Sequence, residues 1–200
     1  MLMETEGDAA PRAGLDIVAL LKEHQGRNYE LHADHVNPSN VKTLKTIGFD
    51  HCYIRAEGSY LWDVEGTKYL DMLSGYGVFG LGRNHPDVRR VLHDFLNSEY
   101  PSLVKMEAPL LSGLLAAELK RRMPNTLDMV FFANSGAEGV EAAIKYAKCA
   151  TGKPGIIHCK KAYHGLTYGA LSVNGDESFR AGFEPYLPGC RMIDFNDLEA

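Results

Sequence analysis

Hydrophobic and polar positions are ordered most clearly between Met129 and Lys148, MVFFANSGAEGVEAAIKYAK. Met129 to Ala133 is a short unbroken apolar run of the kind that forms a buried strand, and Asn134-Ser135-Gly136 turns sharply out of it. Val140, Ala143, Ile144 and Ala147 then recur at i, i+3, i+4 and i+7 as an apolar stripe. Glu141, Lys145 and Lys148 fall on the other face, with Glu141 spaced to pair with Lys145. The pattern predicts strand, small-residue turn and amphipathic helix. Gly152-Lys153-Pro154-Gly155 leads into a second apolar run, Ile156 to Cys159, in the order of a parallel βαβ unit, and Tyr163-His164-Gly165 follows at the C-terminal end of that strand. In open α/β sheets, ligands bind at that edge, where Ser135 and Gly136 are also expected.

Upstream the periods are shorter. Asp16 caps a helix to about Gln25, and the sequence then reads as polar and irregular to about Gly48. From Cys52, the runs CYIRA, YLWDV and KYLDM, separated by Gly58 and Glu65-Gly66, predict a small antiparallel meander. Ser74 to Gly82 places glycines around Tyr76 and Phe79, too flexible for regular structure and too apolar for a simple surface loop. Helices are expected from Asn84-His85-Pro86-Asp87 to about Asn97 and from Pro109 to Arg122. After Ser172 the chain reads as loop to Gly189, Cys190 to Phe195 as a third strand, and Asn196 to Ala200 as the first turn of a helix. Because domains seldom end at a helix N-cap, the sequence reads as the leading part of a longer protein. The expected division is an arm over 1–48, a meander, Gly-rich loop and helix over 49–100, and an α/β segment over 101–200.

An apolar fraction of 45% is that of a globular chain. A net charge of −5, with both signs interspersed, argues against nucleic acid or an anionic membrane as the main partner. No apolar run approaches the roughly 18 residues of a membrane span, and the N-terminus is acidic where a signal peptide is basic, so a cytoplasmic protein is expected. Cys52, Cys149, Cys159 and Cys190 contain no CxxC pair and read as reduced and mostly buried. His32 and His35 form an HxxH in a polar segment, which does not make a metal site.

The turn carries the candidate chemistry. At Ser135-Gly136-Ala137 a helix start aims free backbone N–H groups and the positive end of its dipole at one point, with no side chain larger than a methyl on Gly136 or Ala137 to block an anion. The same three residues, with Glu138, also read as a capping box that binds nothing, and taken alone that is the simpler reading. Neither GxGxxG nor GxxxxGK[ST] is present to explain the turn otherwise.

Taken in order, the motifs resemble the class III (fold type I) pyridoxal-phosphate aminotransferases, the group of the ornithine, acetylornithine, putrescine and diaminobutyrate enzymes. The resemblance runs through Asp63-Val64-Glu65-Gly66 and Tyr69-Leu70-Asp71, Ser74-Gly75 to Leu81-Gly82, and His85-Pro86. It continues in Asn134-Ser135-Gly136-Ala137-Glu138 with Glu141 to Lys145, then Tyr163-His164-Gly165 and Gly169-Ala170-Leu171-Ser172. It implies an α/β, aspartate-aminotransferase-like fold: the mostly parallel sheet of a large cofactor domain, of which 101–200 is the first half, preceded by a small-domain segment. It implies that Ser135, Gly136 and Ala137 hold the phosphate of pyridoxal phosphate, that Tyr163 stacks on its ring, and that His164 and Gly165 complete the cofactor motif, Gly165 by close approach. By itself Tyr163 reads more simply as a core tyrosine at a strand end. Tyr76 matches a tyrosine facing the distal end of the substrate, with simple loop packing as the other reading.

Two departures follow from the same resemblance. Where ornithine and acetylornithine types carry an arginine able to clamp a carboxylate, this chain has Leu166, which favours a diamine, a diaminobutyrate-like substrate or an amine on an apolar skeleton. None of the lysines matches the catalytic position, and that lysine and the carboxylate on the pyridine nitrogen are expected beyond Ala200, so the 200 residues alone are expected to be inactive. Whole, the protein is expected to be a homodimer that moves an amino group from a primary amine to a 2-oxo acid. The same scaffold also serves aminomutases, racemases and decarboxylases, and a non-catalytic binding module is the reading from outside enzymology.

Overall fold

Asp16 opens the first helix as its spacing predicts, accepting the N–H groups of Val18 and Ala19 and starting α1 (Ile17–Glu23). The structure, a computed structural model, describes residue 14 and residues 16–101 and 106–199. The stretch read as irregular up to Gly48 instead holds α2 (Asn28–His35) and α3 (Pro38–Thr46). Its polar residues give no apolar stripe to read, and the signal lies in the cap. Asn37 accepts the N–H of Asn40, and Pro38 occupies the first turn, where a missing N–H costs nothing. Tyr29 ties the pair down by donating to the carbonyl of Phe49.

The meander forms as expected. Strands β1 (Tyr53–Glu57), β2 (Tyr60–Asp63) and β3 (Lys68–Leu70) pair antiparallel in that order, with Glu57 opposite Tyr60 and Trp62 opposite Lys68. Asp63 closes the second turn. Its buried carboxylate accepts the N–H groups of Glu65 and Thr67 and, at 2.8 Å, the hydroxyl of Tyr69. Burial pushes that carboxyl up, but the Tyr69, Thr67 and Glu65 hydrogen bonds outweigh it and hold it below the ordinary value. Helix α4 (Pro86–Leu96) begins at His85, whose Nδ1 accepts the Asp87 N–H.

The chain divides into two compact units, Met1–Ser102 and Leu103–Ala200. The second unit contains α5 (Leu110–Lys120), α6 (Gly136–Thr151), β4 (Ile156–Cys159), α7 (Tyr168–Ser172), α8 (Glu177–Arg180) and β5 (Cys190–Ile193). Strands β4 and β5 pair in parallel from Ile156 opposite Cys190 to Cys159 opposite Ile193. The expected strand over Met129 to Ala133 does not form: among the described residues the segment joins no ladder, and Met129 is 92% exposed. It lies against α6 through Phe131, whose ring meets Tyr146 edge-on at 5.6 Å. An apolar run records a tendency to be buried, whereas a strand also needs a neighbouring backbone. Here β4 takes β5 as its neighbour instead. The stretch after Ser172 contains α8 rather than loop alone, and Phe195-Asn196 is a turn with no helix over Asn196 to Glu199, Ala200 lying outside the described residues.

The core of this unit is α7 and its exit. Ala170, Leu171, Ser172, Val173 and Asn174 are all buried, and the Ser172 hydroxyl donates to the Tyr168 carbonyl while accepting the Leu187 N–H. Helix α6 holds this segment through Glu141. That residue does not pair with Lys145 across an exposed face. Its Oε1 accepts the Thr167 hydroxyl at 2.7 Å and the Gly169 and Ala170 N–H groups at 2.7 and 3.1 Å, capping the start of α7. The i, i+4 spacing was compatible with an ion pair, but three donors at a helix N-terminus attract a carboxylate more strongly than one solvated ammonium. A Cβ on Gly169 would stand 2.2 Å from Glu141 Oε2, so the side chain fits only against glycine. The cysteines are free, but Cys149 is exposed and the other three are half-buried, less buried than expected. Among the described residues no helix is long and apolar enough to cross a membrane.

Burial pushes the Glu141 carboxyl up, while the hydrogen bonds from Thr167, Ala170 and Gly169 prevail and bring it below the ordinary glutamate value. Its contribution to stability is therefore complete above that ordinary value and is lost as pH falls through the lowered one. Glu141→Gln is expected to cost about 1–3 kcal/mol in urea unfolding at neutral pH. The gap to wild type should narrow on acidification through that window.

Candidate functional site

Helix α6 begins at a residue built to end an extended segment. Ser135 keeps extended backbone angles (φ −149°, ψ 161°), its Oγ accepts the Glu138 N–H at 3.2 Å, and Glu138 Oε2 reaches back to the Asn134 N–H at 2.6 Å. This is the expected capping box with its return bond moved one residue back, to Asn134 instead of the N-cap itself. It uses the Glu138 amide and leaves the two before it: among the described residues no protein acceptor meets the N–H of Gly136 or Ala137. A Cβ placed on Gly136 would find nothing within 4 Å, so the corner has room for a group with several oxygens. The sixteen-residue helix behind it ends at Gly152, and its aligned peptides place about half a positive charge at the Gly136 end. These residues fit a phosphate.

The loop after β4 is brought to the same corner. Gly165 has φ +114°, a region that side chains rarely adopt, and a Cβ there would lie 2.6 Å from the Cβ of Ala137 and 3.5 Å from its nitrogen. Only a glycine lets this backbone rest against the first turn of α6. Tyr163, two residues earlier, is 61% exposed and its ring meets Phe179 edge-on at 5.4 Å, so it is not the core tyrosine of the simpler reading. His164 is half-buried and lines an open cleft of about 780 Å³ with Val140, Ile144 and His158, which neither Gly136 nor Tyr163 borders. Leu166 follows, exposed and apolar. The 163–165 loop therefore meets the first turn of α6 at one contact, Gly165 on Ala137, while His164 faces a separate cleft.

Tyr76 belongs to the other unit. It is 91% exposed and sits in a run of left-handed residues, Ser74 (φ 48°), Gly75 (φ 60°), Tyr76 (φ 57°) and Gly77 (φ 89°). An L-residue held there costs roughly 1–2 kcal/mol, a strain that clusters at functional loops. Lys160 pairs with Asp194 at 2.8 Å in the open, and Lys161 is exposed, so neither has the desolvated setting a nucleophilic lysine needs. Among the described residues there is no cluster of His, Cys, Asp or Glu able to hold a metal.

Sequence reasoning did not find the residues that hold these parts in place. Glu141 was read as a surface charge and Asn174 was not singled out, although Asn174-Gly175 is a turn dipeptide directly after a buried helix. Asn174 Oδ1 accepts the His164 N–H at 2.6 Å, and its Nδ2 donates to the Gly165 carbonyl at 2.9 Å.

Gly165→Ala is expected to displace the loop from Ala137 and cost about 1–3 kcal/mol. Gly139→Ala, on the same helix with open space around it, should instead stabilise by about 0.5–1 kcal/mol. Thermal unfolding of the two variants compares them directly.

Comparison with known proteins places the geometry in context. A family model described as aminotransferase class-III matches residues 45–200. The aminotransferase PigE of Serratia sp. (strain ATCC 39006) is 36% identical over 201 residues, covering 98% of this chain and 24% of that protein. Among solved structures, a thermostable (S)-enantioselective omega-transaminase from Thermomicrobium roseum superposes with a TM-score of 0.71 at 28% identity, over 91% of this chain and 41% of that one. A taurine:2-oxoglutarate aminotransferase from Bifidobacterium kashiwanohense, solved with PLP and glutamate, gives a TM-score of 0.70 at 27% identity, over 86% of this chain and 37% of that one. The chain spans less than half the length of each.

Proposed function

The chain belongs to the class-III aminotransferase family, and on that premise we propose that the protein it forms part of moves an amino group from a primary amine to a 2-oxo acid. The cofactor is pyridoxal phosphate, which when bound supplies an electron sink that lets the carbon bearing the amine lose and regain a proton. The observation that carries the site assignment is the close approach of Gly165 to Ala137, which sets the Tyr163 loop on the start of α6.

Each residue then has a task of its own. The Gly136 and Ala137 amides donate to phosphate oxygens at the positive end of the helix, and the Ser135 hydroxyl, whose oxygen already accepts from Glu138, turns its hydrogen to the same group. Tyr163 lays its exposed ring against the heterocycle and fixes its plane, a contact worth about 0.5–1.5 kcal/mol beyond the area it covers. His164 and Gly165 set that ring's distance from the corner through their backbone. Leu166 presents methyl groups where a guanidinium would hold a carboxylate, which supports a diamine, a diaminobutyrate-like compound or another omega-amine as donor. Tyr76 is the candidate for the distal end of that donor. The amine that carries the cofactor is to come from chain outside these 200 residues, since Lys160 and Lys161 lack the setting for it. The same reading makes the whole protein a homodimer, which sedimentation would check.

The full-length protein with pyridoxal phosphate should show a visible band that bleaches with productive donors, faster with putrescine or diaminobutyrate than with ornithine. Leu166→Arg should shift kcat/KM toward ornithine by about tenfold, the value of one charge-assisted hydrogen bond of about 1.5 kcal/mol. A wild-type preference for ornithine would refute the reading of Leu166, and a protein that neither binds the cofactor nor bleaches would refute the activity.

A further inference from the structure

Tyr163 is restrained by little of its own: its ring is mostly exposed and touches Phe179 at one edge. Its place relative to α6 is therefore set by the backbone around it. That backbone is pinned at two points. One is Gly165 against Ala137. The other is Asn174, a fully buried side chain (0% exposed) whose two polar atoms are both spent on the loop, Oδ1 on the His164 N–H and Nδ2 on the Gly165 carbonyl.

An asparagine suits this geometry for a definite reason. The loop presents one donor and one acceptor on adjacent residues, and a carboxamide offers the complementary pair at the right separation. An aspartate of the same shape would keep the first bond and set an oxygen against the Gly165 carbonyl. A serine or alanine would leave buried backbone groups unpaired, at about 1–3 kcal/mol each. The neighbouring backbone extends the grip, because Gly175 donates to the Ala162 carbonyl at 2.8 Å and accepts the Lys161 N–H at 2.9 Å. Asn174 is itself held firmly. It follows α7 directly, its N–H bonds to the Leu171 carbonyl, and α7 is capped by Glu141 of α6. The loop is thus referenced to α6 twice, directly at Gly165 and indirectly through Glu141, α7 and Asn174.

We propose that Asn174 is the positioning residue of the cofactor site: it touches no cofactor atom, and it fixes the height and tilt of Tyr163 over the ring by holding His164 and Gly165. This rests on the assignment of the 135–137 corner and Tyr163 to pyridoxal phosphate. The test uses the full-length protein, Asn174→Asp as the isosteric change and Asn174→Ala as the second variant. Three quantities are read: the dissociation constant of pyridoxal phosphate from titration of the apoprotein, the visible circular dichroism of the bound cofactor, and amide hydrogen exchange of residues 162–166 without cofactor.

The expected result is exchange at His164 at least tenfold faster with α6 unchanged, cofactor binding at least tenfold weaker, and a reduced visible dichroic band. In a Tyr163→Ala background the same Asn174 change should weaken binding by less than threefold, because its effect runs through that ring. Unchanged exchange would overturn the role of Asn174 while leaving the site assignment standing. Faster exchange with binding within twofold of wild type would overturn the site assignment and the proposal with it. Equal losses with and without Tyr163, or variants that do not fold at all, would show that Asn174 supports the fold and not the ring.

Discussion

The contact between Gly165 and Ala137 is the constraint on which the second unit's surface depends. It is a contact that a single methyl group would abolish, since a Cβ at Gly165 would lie 2.6 Å from the Cβ of Ala137. Because it exists, two segments separated by a whole helix and a strand share one corner. On one side stand amides with no protein acceptor among the described residues, and on the other an exposed aromatic ring. Neither segment makes a site alone. The first is an ordinary helix start and the second an ordinary loop after a strand, and the proposed cofactor site is built on their meeting at Gly165 and Ala137.

Helix α6 is the frame for this arrangement. Its start is fixed by Ser135 Oγ on the Glu138 N–H and by the Glu138 carboxylate on the Asn134 N–H, its end by Gly152 in the left-handed conformation, and its middle reaches out through Glu141 to cap α7. Three kinds of force act along it. The Ser135 cap determines where the helix begins, the dipole gives that beginning a sign, and a half-buried carboxylate ties the next helix to it. The carboxylate is also where charge and packing compete, because burial disfavours its ionised form and the donors from α7 restore it.

Much of this was legible in the sequence, and the parts that were not share a cause. The meander, α4, α5, α6, β4 and β5 follow from periodicity and turn residues, which are local properties. The Ser135 corner was legible for the same reason. The Met129 to Ala133 run was misread as a strand because its burial tendency is local while its pairing is not. Helices α2 and α3 were missed because their residues carry no apolar stripe, although Asn37-Pro38 held the cap signal. Glu141 and Asn174 were invisible because a side chain's partner across 26 or 10 positions leaves no mark in the spacing of either residue. Family resemblance supplied Tyr163, His164 and Gly165 without saying why a glycine stands third, and the crowding of Gly165 against Ala137 gives the physical reason.

The central claim is that the Gly136 and Ala137 amides grip a phosphate. Its most direct measurement is the amide resonances of those two residues while the full-length protein is titrated in parallel with pyridoxal 5′-phosphate and with pyridoxal, which lacks the phosphate. If the two amides hold the phosphate, both move strongly downfield with the phosphorylated compound and stay near their free positions with the other. Amides that respond equally to both, or to neither while the phosphorylated compound binds, would contradict it.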